Sequence, residues 1–190
     1  MIKLIFFIAQ LRSRFKRPDG PTEWHRKDGK LEFRGSYKNG KQDGPWEFFH
    51  ENGQLEFRGT YRNGERHGAW ELYHDNGRLK LKGHSIDGKP CGIFERYYPS
   101  GRLSERLTYK DGELDGLFEK FHPNGQLAEK GFYKDRQLEG PWEFYHENGQ
   151  LKKRGSFVFH KREGRWEYFD ENGELKESRI YRTDGSGFYD

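Results

Sequence analysis

The sequence alternates apolar and polar residues in a pattern that repeats every 24 residues. The start of each repeat is marked by a glycine, and numbering each unit from that glycine as position 0 shows what the units share. Position 3 is Glu in all seven units, position 9 is Gly and position 11 is Leu. A constant period of this kind indicates a repeat architecture in which each unit is one supersecondary element. The marker glycines are Gly20, Gly44, Gly68, Gly92, Gly116, Gly140 and Gly164.

Within each unit, two alternating stretches flank a short turn sequence, which predicts a β-hairpin. In the sixth unit the turn is Asn148-Gly149, a pair that favours a two-residue type I′ turn. With that turn, position 7 faces position 10, 4 faces 13, 3 faces 14 and 2 faces 15. Gly-rich loops near positions 19–23, such as residues 63–67, are expected to join successive units.

The distribution of charge supports this register. Positions 3 and 14 carry opposite charges in six of the seven units, and the exception is Glu167 with Ser178. Positions 4 and 13 change character together: they are apolar in the first three units and become Arg96 with Glu105 in the fourth. Residues that change in concert are expected to face each other across two strands.

The aromatic residues are predicted to divide between two faces of a sheet. Positions 2, 4, 11, 13, 15 and 17 share one face, and position 5 places rings on the other face among Glu and Arg. The ring at position 2 is expected to lie across the glycine at position 15 of the same unit, with Trp46 placed over Gly59 and Trp142 over Gly155. A ring in this place covers strand backbone that would otherwise be bare.

Together these features predict an all-β protein, an elongated, twisted, single-layer antiparallel β-meander of hairpin repeats. A short apolar and basic N-terminal segment, residues 1–19, precedes the repeats, and residues 188–190 form a C-terminal tail. The seven predicted repeats span residues 20–43, 44–67, 68–91, 92–115, 116–139, 140–163 and 164–187.

Composition narrows the class of protein. Hydrophobic residues make up 31% of the 190 residues and charged residues 35%, a polarity typical of disordered chains. However, 16 Phe, 11 Tyr and 5 Trp supply the apolar surface that short strands need. No apolar run approaches the roughly 18 residues of a transmembrane helix.

The net charge of +4 originates at the N-terminus. Residues 1–19 hold five basic side chains and one acidic, which leaves 30 of each sign in the other 171 residues. Because the repeats are neutral, we expect no specific binding of nucleic acid.

One stretch carries a family resemblance. Residues 44–64, GPWEFFHENGQLEFRGTYRNG, follow the pattern G-x-W-x-x-Y-x-x-N-G-x-L-x-x-x-G-x-Y-x-x-G, with Phe49 at the place of the first Tyr. This pattern resembles the MORN-repeat family, in the bacterial variant found in YwqK-type antitoxin proteins, and the resemblance covers residues 20–185. Leu107 and Arg179 depart from it by replacing one glycine, and Arg136 and His160 by replacing another.

The resemblance implies a non-enzymatic scaffold that binds protein, in particular an antitoxin or immunity protein that neutralises a partner toxin in the cytoplasm by direct contact. It carries no catalytic residues and implies no cofactor. Two alternatives stay open: a membrane-associated scaffold that binds anionic lipid, and a purely structural repeat array. The oligomeric state is left open as well.

Histidine and cysteine are the candidate residues for metal or nucleophilic chemistry. Four of the eight His residues occupy position 6, but residues of one column lie two strands, about 10 Å, apart. Zinc ligands lie at about 2 Å from the metal, so we expect no metal site. The sequence contains no Ser-His-Asp pattern or phosphate-binding glycine loop, and we expect no enzymatic activity. A single cysteine, Cys91, excludes an internal disulfide and is predicted to be an inert thiol in a loop after Pro90.

The N-terminal segment MIKLIFFIAQLRSRFKR has three interpretations. It can form a short helix that packs on the aromatic face of the first repeats, because the ends of a repeat array need caps. It can be an interfacial membrane anchor that places Arg12, Arg14, Lys16 and Arg17 on lipid phosphates, so that the protein is associated with a membrane. The third interpretation is a mobile tail, or one ordered by a partner.

The predicted partner-binding surface is the aromatic face of the first three units. A contiguous apolar patch often marks an interaction site. The alternative is that these rings pack on one another and stabilise the sheet. The residues concerned are Trp24, Phe33, Trp46, Phe48, Phe57, Trp70, Leu72 and Leu81.

Overall fold

The computed structural model describes residues 18–182 and the strand at 187–189, and the predicted all-β meander is confirmed there. Residues 1–17, which hold the predicted cap or anchor, lie outside the described residues. In the part of the chain that the structure describes, no helix has the length and hydropathy needed to cross a membrane. The strands are β1 Gly20–His25, β2 Leu31–Lys38, β3 Lys41–Gln42, β4 Gly44–Phe49, β5 Leu55–Arg62, β6 Glu65–Tyr73, β7 Leu79–Ile86, β8 Lys89–Tyr97, β9 Leu103–Lys110, β10 Glu113–Phe121, β11 Leu127–Lys134, β12 Gln137–Tyr145, β13 Leu151–Val158, β14 Lys161–Phe169, β15 Leu175–Tyr181 and β16 Gly187–Tyr189.

These strands form one antiparallel sheet whose spatial order follows the sequence. Each strand pairs with the strands before and after it, and the short β3 pairs with β2 beside β4. Every described strand belongs to this sheet, so within the described residues no second layer covers either face. Residues 188 and 189, predicted as part of the tail, lie in β16.

The predicted register holds over the body of every hairpin. In the second unit Trp46 pairs with Gly59, and Glu47 pairs with Arg58. Positions 0 to 4 pair with positions 17 to 13 in the same way in all seven units.

The predicted type I′ turn within the hairpin, and with it the facing of positions 7 and 10, is wrong. The backbone N–H of His50 donates to the carbonyl of Gln54 (2.8 Å), and Gly53 N–H donates to the carbonyl of His50 (2.9 Å). Gly53 has a φ of 86°, whereas Asn52 keeps a negative φ. This is a three-residue loop, a type I turn followed by a glycine bulge. The Asn52 side chain favours it by accepting a hydrogen bond from the Gln54 N–H (2.9 Å).

Type I′ turns instead join one unit to the next, where a longer loop was predicted. Asn63 and Gly64 both have positive φ, 53° and 88°, and Arg62 pairs with Glu65 directly across the turn. Strand β6 therefore begins at position 21 of the unit, so the predicted loop over residues 63–67 is wrong. Two-residue turns match the twist of the flanking strands, and this is why they can join units without a loop.

The aromatic rings at position 2 cover the glycine of the preceding unit, not that of their own unit as predicted. A Cβ atom placed on Gly35 would lie 2.2 Å from the Trp46 ring, and the same close approach recurs for Gly131 with Trp142. The Trp46 indole N–H donates to the carbonyl of Ser36 at 3.0 Å, which fixes the ring over β2. Because every strand has two neighbours, the strand pairing alone does not determine which of the two glycines a ring covers.

Trp70 is the exception, and a substitution in its own unit explains it. Position 17 is aromatic in the other units but is Ser85 here, and Ser85 is 1% exposed. The Trp70 indole N–H donates to the Ser85 hydroxyl at 2.9 Å, so its ring turns toward its own hairpin. The Phe57 ring then covers Gly59, with a ring carbon 2.7 Å from the position of a Cβ. The small side chain of Ser85 thus goes together with the turned Trp70 ring, and the Phe57 ring covers Gly59 in place of Trp70.

The core consists of two clusters of buried rings along one face. Leu107 packs against both clusters and marks the boundary between them. Near this boundary the cross-strand pairs at positions 4 and 13 are charged: Arg96 with Glu105 (3.2 Å) and Lys120 with Glu129 (3.1 Å). The buried members are Trp46, Phe57, Trp70 and Phe94 in the first cluster, and Phe118, Trp142, Phe157 and Trp166 in the second.

Candidate functional site

Positions 4 and 13 of successive units form one continuous line of cross-strand neighbours, and its N-terminal part is the candidate site. We call this part the apolar row. Its six residues span five strand spacings, about 24 Å. Beyond the row the line continues with Arg96 and Glu105. The row consists, in order, of Trp24, Phe33, Phe48, Phe57, Leu72 and Leu81.

The eight residues predicted as a partner site all lie on this face, but they differ in exposure. Trp46, Phe57 and Trp70 are only 1–4% exposed, so they build the core instead of offering a surface. Trp24 is 48% exposed. The remaining four, Phe33, Phe48, Leu72 and Leu81, are half-buried and present one edge to solvent.

Ring packing holds the row in place. The Phe48 ring lies 6.0 Å from Phe33, 5.7 Å from Phe57 and 5.7 Å from Trp46, measured between centroids. Aromatic pairs at such distances contribute about 0.5–1.5 kcal/mol each beyond the area they bury. The exposed edges are therefore fixed by side chains beneath and beside them, and a ligand would find the surface preformed.

The second half of the sheet does not repeat this surface. The same line continues there as Phe144, Lys153, Tyr168 and Glu177. The Lys153 ammonium lies over the Phe144 ring, 4.2 Å from its centroid, and burial lowers the pKa of Lys153. An uninterrupted apolar line is thus confined to the first three units.

The opposite face carries a charge ladder, formed by positions 3 and 14. Glu and basic residues alternate along it from Glu23 to Glu167, because each base has a Glu on both sides. The ion pairs mostly reach the following unit: Lys82 pairs with Glu95 at 2.6 Å, and Arg154 with Glu167 at 2.6 Å. The sequence analysis predicted opposite charges facing each other within a unit. In the structure the basic side chains also form ion pairs with the Glu of the following unit.

The ladder holds the Glu95 carboxylate as an anion. A hydrogen bond from Lys82, helped by bonds from Tyr97 and Arg106, lowers the pKa of Glu95 to about 2 against the opposing effect of burial. Burial, followed by the hydrogen bond to Glu143, raises the pKa of Tyr145 to about 12. Glu95 is thus a structural ion at neutral pH, held by partners on both sides.

Position 6 has a structural role that the sequence analysis missed. Its side chain bonds the backbone carbonyl at position 5 of the next unit, as His50 Nε2 does with Tyr73 O at 3.0 Å. In the first unit Arg26 takes the place of His and donates to Phe49 O at 2.7 Å. In the fourth unit Tyr98 Oη makes the same bond with the Phe121 carbonyl (2.7 Å). The sequence contained a signal for this role. The residues that replace His at position 6 in the first and fourth units, Arg and Tyr, are also hydrogen-bond donors, and a residue that cannot donate when ionised, Asp170, occurs only in the seventh unit.

Position 8 adds a second bond between units. Asn52 Nδ2 donates to the carbonyl of Asp75 at 2.6 Å, while its Oδ1 accepts from the N–H of Gln54 in its own turn. The Asn amide carries its donor and its acceptor on separate atoms, so one side chain can make both bonds at once, which suits the predominance of Asn in this column. The His and Asn side chains thus connect each unit to the next by hydrogen bonds. In the described residues no group of three His, Cys, Asp or Glu side chains is placed to hold a metal ion.

A second surface lies on the charge-ladder face. An open groove of about 1100 Å³ crosses the first four units, with the ladder along one side. Its other side is formed by position 1, where Pro45 and Ala69 are exposed and Ile93 is 59% exposed. The sequence analysis did not weigh this column, although position 1 is apolar in six of the seven units.

Cys91 lies in strand β8, not in a loop as predicted. It is half-buried, and its Sγ is 3.1 Å from Nδ1 of His84 on the paired strand. The expected loop is absent because the type I′ turn ends at Gly88, and pairing resumes at Lys89.

An open sheet of near-identical hairpins, joined by repeated contacts between neighbours, defines a repeat scaffold. The chain belongs to the MORN repeat variant family. The family pattern matches seven segments whose starts are 24 residues apart, and MORN repeats suggest a scaffold that binds other molecules. The matched segments are residues 18–39, 42–63, 66–87, 90–111, 114–135, 138–158 and 162–182.

Solved structures and curated sequences add little to this assignment. A crystal structure of TarM is similar over 70% of this chain and 24% of its own, with 12% identity and a TM-score of 0.33. An S. aureus TarM mutant in complex with Fondaparinux, alpha-GlcNAc-glycerol and UDP is similar over 85% of this chain and 23% of its own, with 12% identity and a TM-score of 0.34. The chain thus spans about a quarter of the length of these proteins. Among curated protein sequences no match was found.

Proposed function

We propose that this protein is a non-enzymatic scaffold that binds a partner protein through the apolar row, and that it serves as an antitoxin or immunity protein. The observation that carries the proposal is the row itself. Six apolar side chains follow one another in register, and five of them reach solvent while the rings beneath are buried.

The chemistry of the row suits a protein surface. Interface cores are enriched in Trp, Phe and Tyr and poor in charge, and the row has this composition over about 24 Å. Trp, the residue type of Trp24, is enriched among the residues that dominate binding energy. The balanced charge of the repeats gives no electrostatic basis for binding nucleic acid.

The rigidity of the row supports a stable, inhibitory contact. Its side chains are fixed by ring packing, so little conformational entropy is lost when a partner binds. The antitoxin role rests on the resemblance to the bacterial YwqK-type variant, and the row supplies the surface through which such neutralisation would occur.

A matched pair of variants tests the site. After affinity capture from the native cell, the purified partner is titrated with Phe48→Ser and with Phe144→Ser, which changes the same position in the sixth unit. We expect Phe48→Ser to weaken binding about tenfold or more, as for the loss of an interface anchor. Phe144→Ser removes a similar ring from the fold and is expected to leave affinity within about twofold, since it lies outside the row. Equal loss of affinity in both variants would reject the row as the site.

The antitoxin role has a separate readout. In cells that express the partner, we expect co-expression of the wild-type scaffold to restore growth. Co-expression of Phe48→Ser is expected not to restore it. A partner that binds but does not slow growth when expressed alone removes the antitoxin role and leaves the scaffold role in place.

A further inference from the structure

Cations and hydroxyl groups converge on the aromatic face of the sixth and seventh units, away from the apolar row. Arg162 Nη1 donates to the hydroxyls of Tyr168 and Tyr181, at 3.0 Å each, and the two hydroxyls are 2.9 Å apart. The Arg162 guanidinium also lies over the Trp166 ring, 4.7 Å from its centroid. Lys153 is the direct cross-strand neighbour of Tyr168. We call Lys153, Arg162, Tyr168 and Tyr181 the basic cluster.

The two cations of the basic cluster lie against rings and hydroxyls instead of carboxylates. The Lys153 ammonium is 4.2 Å from the centroid of the Phe144 ring, and Arg162 contacts Trp166 and the two tyrosines. Among the described residues neither cation forms an ion pair. The cluster thus differs from the charge ladder on the other face, where each base lies between two Glu residues.

Two acidic residues flank the cluster along the line of positions 4 and 13, and each has a cation of its own. Glu129 faces Phe144 and forms an ion pair with Lys120 at 3.1 Å. Glu177 is bonded by Arg179, whose Nη2 lies 2.8 Å from the carboxylate. The positive charges of Lys153 and Arg162 are therefore available to a bound anion.

The surroundings of the cluster favour negative charge. Although burial opposes it, the pKa of Tyr181 is lowered by hydrogen bonds with Tyr168, Arg179 and Arg162. Burial, followed by repulsion from Arg162, lowers the pKa of Lys153. An anion between these groups would offset the repulsion, because an opposite charge nearby stabilises the charged form of a base.

The equivalent place in the second and third units lacks these features. Arg66, at the position of Arg162, lies over Trp70 with the same distance of 4.7 Å from guanidinium carbon to ring centroid. The Ser85 hydroxyl at this place is already bonded by the Trp70 indole. At the other three positions of the cluster these units have Phe57, Leu72 and Ser85. A second cation and two phenolic hydroxyls are thus particular to the sixth and seventh units.

The donors of the cluster suit a phosphate group. Both bonds of Arg162 use Nη1, which leaves Nε and Nη2 for the bidentate contact that a guanidinium makes with phosphate. One of the two tyrosine hydroxyl protons is used in the bond between Tyr168 and Tyr181, and the other can be donated to a ligand. A phosphate monoester carries about −1.5 to −2 charges at pH 7 and three acceptor oxygens. It therefore matches two cations, whereas a carboxylate would neutralise one.

We propose that the basic cluster binds the phosphate group of a soluble phosphate monoester. Arg162 and Lys153 supply the charge, and the pair of Tyr168 and Tyr181 supplies a further hydrogen bond. The rings beneath the two cations hold them at the site before the ligand arrives. The site lies outside the apolar row, so this proposal does not rest on the function proposed above.

Calorimetric titration of the full chain with phenyl phosphate at neutral pH tests the site. We expect saturable binding, and Arg162→Gln should weaken it about tenfold or more, as for the loss of a hydrogen bond between charged groups. Lys153→Met should weaken it to a similar extent. Arg66→Gln removes a guanidinium from the equivalent place over Trp70 and is expected to leave the affinity within about twofold.

Three results of the titration would overturn the proposal. Absence of saturable binding to the wild-type chain removes the site. Equal weakening by Arg66→Gln and Arg162→Gln shows a general attraction of anions. Equal affinity for benzoate, which has the same ring and a single charge, removes the preference for phosphate. Circular dichroism checks the fold of each variant, and the comparison with benzoate decides the ligand class on the wild-type chain even if a variant does not fold.

Vesicles of phosphatidylcholine with phosphatidic acid separate a soluble ligand from a lipid, because phosphatidic acid carries a phosphate monoester at a membrane surface. We expect the sedimentation of the chain with these vesicles to be the same for the wild type and Arg162→Gln. Sedimentation that is lost in Arg162→Gln would overturn the assignment to a soluble ligand and would assign the cluster to a membrane surface.

Discussion

The side chain at position 6 shows how one residue can serve the whole array. His74 Nε2 lies 3.0 Å from the carbonyl of Tyr97 in the next unit, and the equivalent bond connects the other units. Arg26 and Tyr98 make it with different chemical groups, so the requirement is for a donor of sufficient length and not for imidazole. The histidine column is thus explained by a structural hydrogen bond between units.

Replacing His74 tests this requirement at the residue scale. His74→Phe keeps a ring but leaves the Tyr97 carbonyl without its donor, and we expect a loss of about 1–2 kcal/mol in the free energy of unfolding. His74→Tyr supplies the hydroxyl that Tyr98 uses in the fourth unit, and it should retain most of the stability. Urea unfolding followed by tryptophan fluorescence measures both. Equal stability of the two variants would show that the hydrogen bond contributes nothing.

At the scale of the hairpin, the sequence predicted the pairing but misplaced the turns. The ladder of Glu and Arg and the joint change to Arg96 with Glu105 defined the register, because directly opposed residues must be compatible. The Asn-Gly pair within the unit was assigned a type I′ turn, although the Asn amide stabilises a type I turn with a bulge. The true type I′ turns lie at positions 19 and 20, where Asn or Asp precedes Gly in several units.

Two substitutions in the turns between units are predicted to differ in their effect on the free energy of unfolding. Gly64 has a φ of 88°, and Arg136, at the same position of the fifth unit, has a φ of 67°. A side chain in the left-handed region costs about 1 kcal/mol relative to glycine. Gly64→Ala should therefore lower the free energy of unfolding by about 1 kcal/mol, whereas Arg136→Gly should raise it or leave it unchanged. Thermal unfolding of the two variants is the measurement, and a gain in stability for Gly64→Ala would contradict the turn assignment.

The candidate site could be predicted from the sequence only in part. The sequence placed its eight residues on one face, because alternation fixes which side chains share a face. It could not separate exposed residues from buried ones. That division depends on the tilt of Trp46 and Trp70 toward different neighbours, which the backbone pairing does not determine. The groove on the other face was missed because its apolar column alternates with charged residues.

For the whole molecule, the charge ladder predicts a dependence of stability on pH. The bond from Lys82 lowers the pKa of Glu95 from 4.5 to about 2. A depressed pKa in the folded state contributes stability above pH 4.5, and this contribution is lost as the pH falls toward 2. Glu95→Gln should therefore lose stability at pH 7 and should flatten the fall between pH 4.5 and pH 2. Urea unfolding across this range checks the prediction, and a profile unchanged by Glu95→Gln would contradict it.

The same ladder separates the two faces of the molecule. Charges of alternating sign run along one face, and buried rings with exposed edges run along the other. Because each unit contacts its neighbours through the same bonds, substitutions far from the row should leave its geometry unchanged. This is why a variant at Phe144 in the sixth unit serves as the control for Phe48 in the second.

The central claim, that the apolar row binds a partner protein, is tested most directly by crosslinking in the complex. Benzoylphenylalanine is placed at Phe48 in one variant and at Phe144 in another, and each is mixed with the purified partner. An aromatic probe preserves the ring in both places. The account predicts that the probe at Phe48 crosslinks to the partner and that the probe at Phe144 does not. Crosslinking from Phe144 alone, or from neither position in a complex that forms, would contradict it.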